Sequence, residues 1–509
     1  MNVGDERSRS CWMQDLPRVD APVLTQGCEC DVLVVGSGIA GLSTAYELAR
    51  FGRSVMVIDR GRIGAGMTAR TTAHLASALD DYYSELIKVH GEGAARLYHD
   101  SQVAAINRIE VICRDEAIEA DFQRVDGFLF AAEEGDRRDL EAEHEACRTI
   151  GVAVDWVERA PVPGIDTGPA LRFPGQARFH PTRYLSGIVR TCVRLGVRFH
   201  AGTAYIGHEE NADGVAVTVE GGAVVRAADV VFATNSPVND KVFIHTKQEP
   251  MRTYVIAGRT PKGHVADALV WDSLDPYHYV RLQPLGEAED LLIVGGEDHR
   301  TGEADDMDAR FAALEAWSRH HYPALGAIDY RWSGQVLEPI DFMPFTGRNP
   351  GNRYIYIHSG DSGQGITNGV AGSLTLLPLI IGEDSRFAPL LDPSRKPLSS
   401  RPSLGEFVRG QAGVVRNLAE YVTGGEVSSI EDIAPGNGAI MRDGLSKIAV
   451  YRDQQGGVLR LSPACTHMGC IVHWNSLEKC WDCPCHGSHF APDGSVLNGP
   501  AIVSLPEHE

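Results

Sequence analysis

A chain of 509 residues is too long for one compact core at about 100 to 200 residues per domain, and divides into two or three. With 43% hydrophobic and 23% charged residues, 54 glycines and 27 prolines, its composition is that of a globular protein and excludes collagen-like, coiled-coil and wholly disordered readings. Its 68 acidic against 47 basic side chains leave a net charge of −21, which repels phosphate backbones and anionic headgroups, so nucleic acid and acidic membranes are not expected partners.

Residues 1–30 read as a polar leader. Its opening, MNVGDERSRSCWMQDLP, has no apolar core for a secretory signal, and Ser8 separates its arginines. The most apolar stretch, Leu374 to Ile381, contains Pro378 and falls short of the roughly 18 to 20 residues of a membrane span. No membrane span and a cytoplasmic location are expected.

From Asp31 to Val35 a β-branched run enters G-S-G-I-A-G, Leu42 to Phe51 has helical apolar spacing, and Ser54 to Ile58 is a second strand. This is a parallel βαβ unit. Gly36, Gly38 and Gly41 fill the three positions of G-x-G-x-x-G, with Ser37 among them. There, absent side chains allow a tight turn, close approach of a pyrophosphate, and helix against strand, with the phosphates on the helix N-terminus. Asp59, followed by Arg60, stands 23 residues after Gly36 and is placed to accept ribose hydroxyls. A dinucleotide is expected, but the turn does not distinguish FAD from NAD.

Residues 81–150 have helical spacing and read as packing helices. Strands are expected over Val215 to Val219, Val224 to Arg226, Asp229 to Ala233, and through a strand-rich block from Met251 to Gly296. Residues 385–413, rich in Pro, Ser and Arg, read as a linker, and 414–509 as a small all-β domain.

The eleven cysteines are uneven: six lie between Cys11 and Cys192, and five crowd between Cys465 and Cys485. Such a cluster suits metal binding or redox chemistry better than a general disulfide framework. Cys465 and His467 form C-x-H, and Cys483 and His486 form C-x-x-H. Two cysteines and two histidines would also suit zinc. Each loop supplies one of each, however, the mixture that two facing loops give to a [2Fe-2S] cluster with cysteines on one iron and histidines on the other.

Residues 31–384 resemble the D-amino-acid-oxidase-like flavoproteins, a family that includes glycine, sarcosine and γ-glutamylputrescine oxidases. Gly66 to His74, G-M-T-A-R-T-T-A-H, is similar to the family's GASGRNGG segment, which would put Thr68, Arg70 and Thr71 near the flavin and its phosphates. Ala233, Thr234 and Asn235 resemble its A-T-G turn, with Asn in place of glycine. Tyr279, Val280 and Arg281, with Leu291 to Gly296, resemble its substrate-cavity hairpin. Asp341 to Gly347 resembles its D-x-L-P-x-I-G, and Gly360, Gly363 and Gly365 its closing flavin-binding turn. The resemblance implies FAD, and an α/β Rossmann-type domain interleaved with an α+β substrate domain. It also makes Arg252, Tyr254, Tyr279 and Arg281 candidate substrate-cavity residues, while naming no catalytic base. His74 is read as a hydrogen-bonding or packing residue rather than a covalent flavin attachment.

C-T-H-M-G-C and C-P-C-H-G-S resemble the Rieske proteins. That resemblance implies Cys465, His467, Cys483 and His486 as cluster ligands, a Cys470–Cys485 disulfide joining the loops, Ser488 as a donor to cluster sulfur, and Gly499-Pro500 as a covering loop. Phe490 stands where high-potential members have a tyrosine, so a lower potential is expected. Cys480 reads as an inert, partly exposed thiol. A small-molecule amine or amino-acid-like substrate would then be oxidised at FAD, with electrons relayed singly through the cluster to a ferredoxin, cytochrome or quinone. The alternative is an electron-transfer module serving a partner oxygenase or quinone. Arg252 or Arg281 beside the flavin would favour the enzyme.

Overall fold

The computed structural model describes residues 6–239, 244–396 and 420–508. The βαβ unit is formed by the strand Cys28–Val35, the helix Ile39–Arg50 and the strand Val55–Ile58. The helix begins three residues before its apolar spacing does, because the glycine turn itself supplies the first turn and no side chain caps it. Five parallel strands, in the order 355–359, 224–232, 28–35, 55–58 and 198–200, make the centre of the first sheet. An antiparallel hairpin, Tyr205–Asn211 and Gly214–Val219, joins the start of strand 224–232. The run VLVV in the first strand is buried throughout, as expected of a parallel sheet covered on both faces.

Helices Ile39–Arg50, Pro181–Arg194 and Gly365–Ile381 pack together. The last continues a short 3₁₀ turn, so that Ser362–Ile381 is long and apolar enough by composition to cross a membrane. It contains Pro378, is mostly buried, and brings Gly369 against Ile39 and Ala40.

The second sheet is mainly antiparallel, in the order 328–339, 248–261, 289–300, 279–284, 269–272, 123–130, 170–178 and 74–75. Because its segments alternate along the chain with those of the first sheet, the two domains are interleaved, as the fold class required. Residues 81–150 hold three helices, Tyr83–His90, Glu92–Asp115 and Arg137–Thr149. The expectation of helices alone fails at Gln123–Phe130, a strand of this sheet. Its alternate residues Val125, Gly127 and Leu129 point inward, the period of two that a helical reading overlooks. The carboxy-terminal domain is all β, with one sheet of three strands (437–443, 446–452, 458–461) and one of four (473–475, 480–482, 489–490, 496–498).

Two boundaries differ from expectation. Residues 6–12 of the leader are built into the molecule: Glu6, Ser8, Ser10 and Trp12 are buried and hydrogen-bond to His489, Glu478, Ala69 and Thr71 respectively. The expected linker starts as structure: Ala388–Leu391 is helical, Leu391 is buried, and Arg395 pairs with Asp341 at 2.7 Å. Its remainder, 397–413, lies outside the described residues.

Candidate active site and cluster site

One cavity collects the ends of both sheets. At its first end, Gly36 has φ +104°, and a Cβ there or on Gly41 would overlap a backbone carbonyl, of Ala233 or of Gly36. At Gly38 the nearest neighbour of an added Cβ is Thr68 Oγ1, at 3.3 Å, and that oxygen accepts from Ile39 N. Asp59 accepts from Ser37 N and Oγ at 2.8 and 2.6 Å, tying the acid to the turn. This bare backbone at a helix N-terminus fits a dinucleotide pyrophosphate. Ser37, Arg60, Thr68 and Thr71 line the cavity, as do Gly363 and Gly365. Gly41 and Gly360 stand behind its wall. Asn235 takes the left-handed φ of +64° that a glycine would otherwise supply, a conformation asparagine tolerates.

At the other end the walls carry Trp271, Tyr277, Tyr279, Thr253 and His74, with the carboxylates of Asp80, Asp298 and Glu338. Tyr279 Oη and Thr253 Oγ1 are 2.5 Å apart. His74 hydrogen-bonds Thr72 Oγ1 and Val280 O at 3.1 and 3.2 Å, and burial pushes its pKa down to about 3, keeping the ring neutral. Burial raises Asp80 to about 6 and Asp298 to about 7. Those three carboxylates went unnoticed in the sequence, where the only signal is a lone acid in an apolar strand, as in Q-V-L-E-P.

Of the four candidate cavity residues, Tyr279 alone lines this space. Arg252, Tyr254 and Arg281 do not line it. Arg281 is buried and donates to the carbonyls of Ala73 and Phe179, both at 2.9 Å, with its guanidinium over Trp12. Arg252 is buried against Asp482 and Ser333. Tyr254 turns its hydroxyl to His299 at 2.8 Å. Arg70 contributes to the cavity wall, but its guanidinium points away, to Ser8, Ser333 O and Glu478.

In the carboxy-terminal domain the two loops face each other. The sulfurs of Cys465 and Cys483 hydrogen-bond, and the rings of His467 and His486 lie 4.9 Å apart. His486 Nδ1 is buried with no hydrogen-bond partner, an orphan that a metal ion would satisfy. A sulfur pair beside a histidine pair fits a [2Fe-2S] cluster. Cys470 and Cys485 form a disulfide, Cα–Cα 6.4 Å. Ser488 Oγ accepts from Ala501 N at 3.0 Å and hydrogen-bonds the Cys465 sulfur. Phe490 is fully buried. Cys480, expected to be partly exposed, is fully buried on the strand Cys480–Asp482.

No sequence signal reveals how the two parts meet. The ring of buried His245 packs on His467 and His486 at 4.7 and 5.6 Å. Gln335 Nε2 donates to Gly487 O at 3.0 Å, and a Cβ on Gly487 would strike that amide. Leu497, Gly499 and Ala501 form part of the wall of the glycine-turn cavity. Beside them, Glu6, Arg70, Arg252, Glu478, Asp482 and His489 make a buried ionic network.

A dinucleotide cradle opening on a chamber, with a sulfur–histidine site packed over it, defines a flavin oxidoreductase joined to an iron–sulfur domain. Residues 31–376 match the family of FAD dependent oxidoreductases abbreviated DAO, and residues 425–509 match the Rieske [2Fe-2S] domain. The chain belongs to the DAO family of FAD-dependent oxidoreductases, carries a C-terminal Rieske domain, and binds FAD and a [2Fe-2S] cluster. It is 30% identical over 502 residues, covering 98% of this chain and 97% of the relative, to YhfW of Bacillus subtilis (strain 168), which bears the name of a Rieske 2Fe-2S iron-sulfur protein. The gamma-glutamylputrescine oxidoreductase of Escherichia coli (strain K12) is 27% identical over 72% of this chain and 86% of its own. Glycine oxidase from Geobacillus kaustophilus shares the fold, with a TM-score of 0.61 and 17% identity over 72% of this chain and 99% of that one.

Proposed function

We propose that the protein oxidises an amine or amino-acid-like substrate in the chamber beside Tyr279 and passes the electrons, one at a time, through the Rieske cluster to an external ferredoxin, cytochrome or quinone. FAD, when bound, supplies a two-electron acceptor, and the cluster a one-electron carrier. The chain's residues do the rest. Gly36, Ser37, Gly38 and Gly41, with Asp59, Arg60, Thr68 and Thr71, would hold the dinucleotide. Cys465, His467, Cys483 and His486 would hold the cluster. Trp271, Tyr277 and Tyr279 exclude water and orient the substrate, and neutral His74 helps to fix the wall.

The observation that carries this reading is the shared wall. Leu497, Gly499 and Ala501 of the Rieske domain line the same cavity as the glycine turn, and His245 of the flavoprotein region touches both histidine ligands. This adjacency of the glycine-turn cavity and the cysteine–histidine loops supports a relay between the two centres. A cytoplasmic location belongs to the same reading, since Cys470 and Cys485 are buried and so sheltered from thiol exchange.

The test is anaerobic mixing of the oxidised holoprotein with amines and amino acids, following flavin bleaching by absorbance and the cluster by EPR. Bleaching succeeded by a Rieske-type signal is the expected result. Bleaching with the cluster left oxidised would remove the relay from the proposal.

A further inference from the structure

The substrate chamber is acidic where a carboxylate-binding site would need a cation. Among the described residues that line the cavity, the cations are Arg60, next to Asp59 at the cradle end, and Arg70, whose guanidinium is turned to Ser8, Glu6 and Glu478. Both arginines expected to anchor a substrate carboxylate are built into the fold instead: Arg281 into backbone carbonyls, and Arg252 into its pair with Asp482. Around Tyr277 and Tyr279 stand three carboxylates, Asp80, Asp298 and Glu338. Asp80 lies beside the Tyr277 hydroxyl and Asp298 beside Thr253, and Asp298 Oδ1 is buried without a hydrogen-bond partner.

The three acids also feel one another. Burial pushes the Glu338 carboxyl well above its usual range, and Asp81, Asp298, Asp80 and Glu249 add to it. Acidic groups crowded together resist ionisation and ionise more readily when a cation sits among them. A substrate carboxylate would enter among three acidic groups with no described Arg or Lys at that end of the cavity to meet it. An ammonium group gains instead from the carboxylates and from the faces of Trp271, Tyr277 and Tyr279.

Resting on the amine-oxidising reading above, we infer that the substrate is a di- or polyamine without a carboxylate, held at its far ammonium group by Asp298, Glu338 and Asp80 and flanked by Tyr277 and Tyr279. Only the reacting nitrogen has to be neutral for oxidation, and the far nitrogen keeps its charge among the acids. The remaining ammonium stays paired, so the reacting amine can be neutral while the substrate remains bound.

The experiment uses the holoprotein, with FAD and cluster loaded, in two arms. In the first, putrescine and spermidine are compared with glycine and sarcosine by anaerobic flavin bleaching; the two amines are expected to bleach and the two amino acids not. In the second, spermidine binding to the dithionite-reduced holoprotein, which cannot turn it over, is measured by titration calorimetry. Asp298→Asn and Glu338→Gln, checked for unchanged FAD absorbance and Rieske EPR, are each expected to raise Kd at least about tenfold, the equivalent of 1.4 kcal/mol. Bleaching by the amino acids and not by the amines would overturn the inference and leave amine or amino-acid oxidation standing, as would unchanged Kd in both variants. If nothing bleaches while dithionite reduces both centres, the underlying reading falls and takes the inference with it.

Discussion

Arg252 of the flavoprotein region and Asp482 of the Rieske domain form an ion pair of 2.9 Å with both side chains almost fully buried, 1% and 3% exposed. Around it the guanidinium also donates to Ser333 Oγ at 2.8 Å, and Asn475 donates to the same carboxylate at 2.8 Å. A buried charge is tolerated only when paired and hydrogen-bonded, so each partner makes the other's burial affordable. Removal of one member strands its partner, which typically costs about 3–5 kcal/mol.

Arg252→Ala is therefore expected to lower the unfolding midpoint by several degrees and to expose the domain junction to protease, with Asp482→Asn intermediate. The replacement Arg252→Met with Asp482→Leu is expected to be milder than Arg252→Ala, because no lone charge remains. Thermal unfolding and limited proteolysis of the four holoproteins check this. An Arg252→Ala protein as resistant as the parent would show that the pair does not hold the junction.

The leader supplies a second fastening. Trp12 is 1% exposed and donates from Nε1 to Thr71 O at 2.6 Å, beneath the segment that faces the cavity. Its truncation to alanine is expected to cost about 3–5 kcal/mol and to reduce FAD retained after gel filtration. Glu6 behaves differently. Burial alone would raise its pKa, but Arg70, His489 and Arg252 outweigh burial and hold it down at about 2. Because the folded value lies below the ordinary 4.5, the stability it contributes, roughly 3 kcal/mol at 1.36 kcal/mol per pH unit, is present above pH 4.5 and lost as pH falls toward 2. Glu6→Gln is expected to flatten that part of the acid-unfolding curve measured by circular dichroism.

What was legible in the sequence was what local geometry dictates. The glycine turn needs residues 36, 38 and 41 bare, and the cluster loops need Cys and His at short fixed spacing, so both sites follow from motif and chain order. The roles of Arg252 and Arg281 are not legible, because a single sequence does not say which face of a strand meets a cavity: each lies on a strand of the right sheet, but turns to a partner more than 100 residues away, Asp482 or Phe179. Glu6 and Trp12 looked like leader for the same reason. Their burial depends on Arg70, Glu478, Thr71 and His489, which only the tertiary fold brings to them.

Asp298 makes the chamber pH-dependent. Burial raises its carboxyl from 3.8 to about 7, Asp80 adds to the effect, and Thr253, His278 and Arg310 oppose it; Glu338, Tyr277 and Tyr279 also face it across the chamber. The folded protein thus holds this proton more tightly than the unfolded chain, and the stability linked to it is lost as pH rises from 3.8 through about 7. Diamine binding has the opposite slope. Aliphatic ammonium groups stay charged to about pH 10, so affinity is expected to rise up to about tenfold per pH unit below 7, as Asp298 ionises, and to level above it. Calorimetric titrations with spermidine from pH 5.5 to 8.5 measure the slope. Asp298→Asn is expected to flatten it to what Asp80 and Glu338 contribute, and a slope unchanged in that variant would assign the proton to another group.

The cluster potential offers a test that needs no substrate. Ser488 hydrogen-bonds the Cys465 sulfur, and its hydroxyl also receives Ala501 N, which fixes its orientation. Phe490, two residues on, has no donor and is fully buried beside Trp481 on the neighbouring strand. Hydrogen bonds to cluster sulfur stabilise the reduced, more negative state and so raise the potential. A bond to a charged group is worth about 1.5–3 kcal/mol, and 59 mV in a one-electron couple corresponds to about 1.4 kcal/mol. Ser488→Ala is therefore expected to lower the potential by roughly 60–130 mV. Phe490→Tyr is expected to raise it where the new hydroxyl reaches sulfur, at the cost of burying one more polar group. EPR-monitored redox titration of the parent and both variants reads the shifts directly. A potential unmoved by Ser488→Ala would mean that the hydroxyl serves the Ala501 backbone alone.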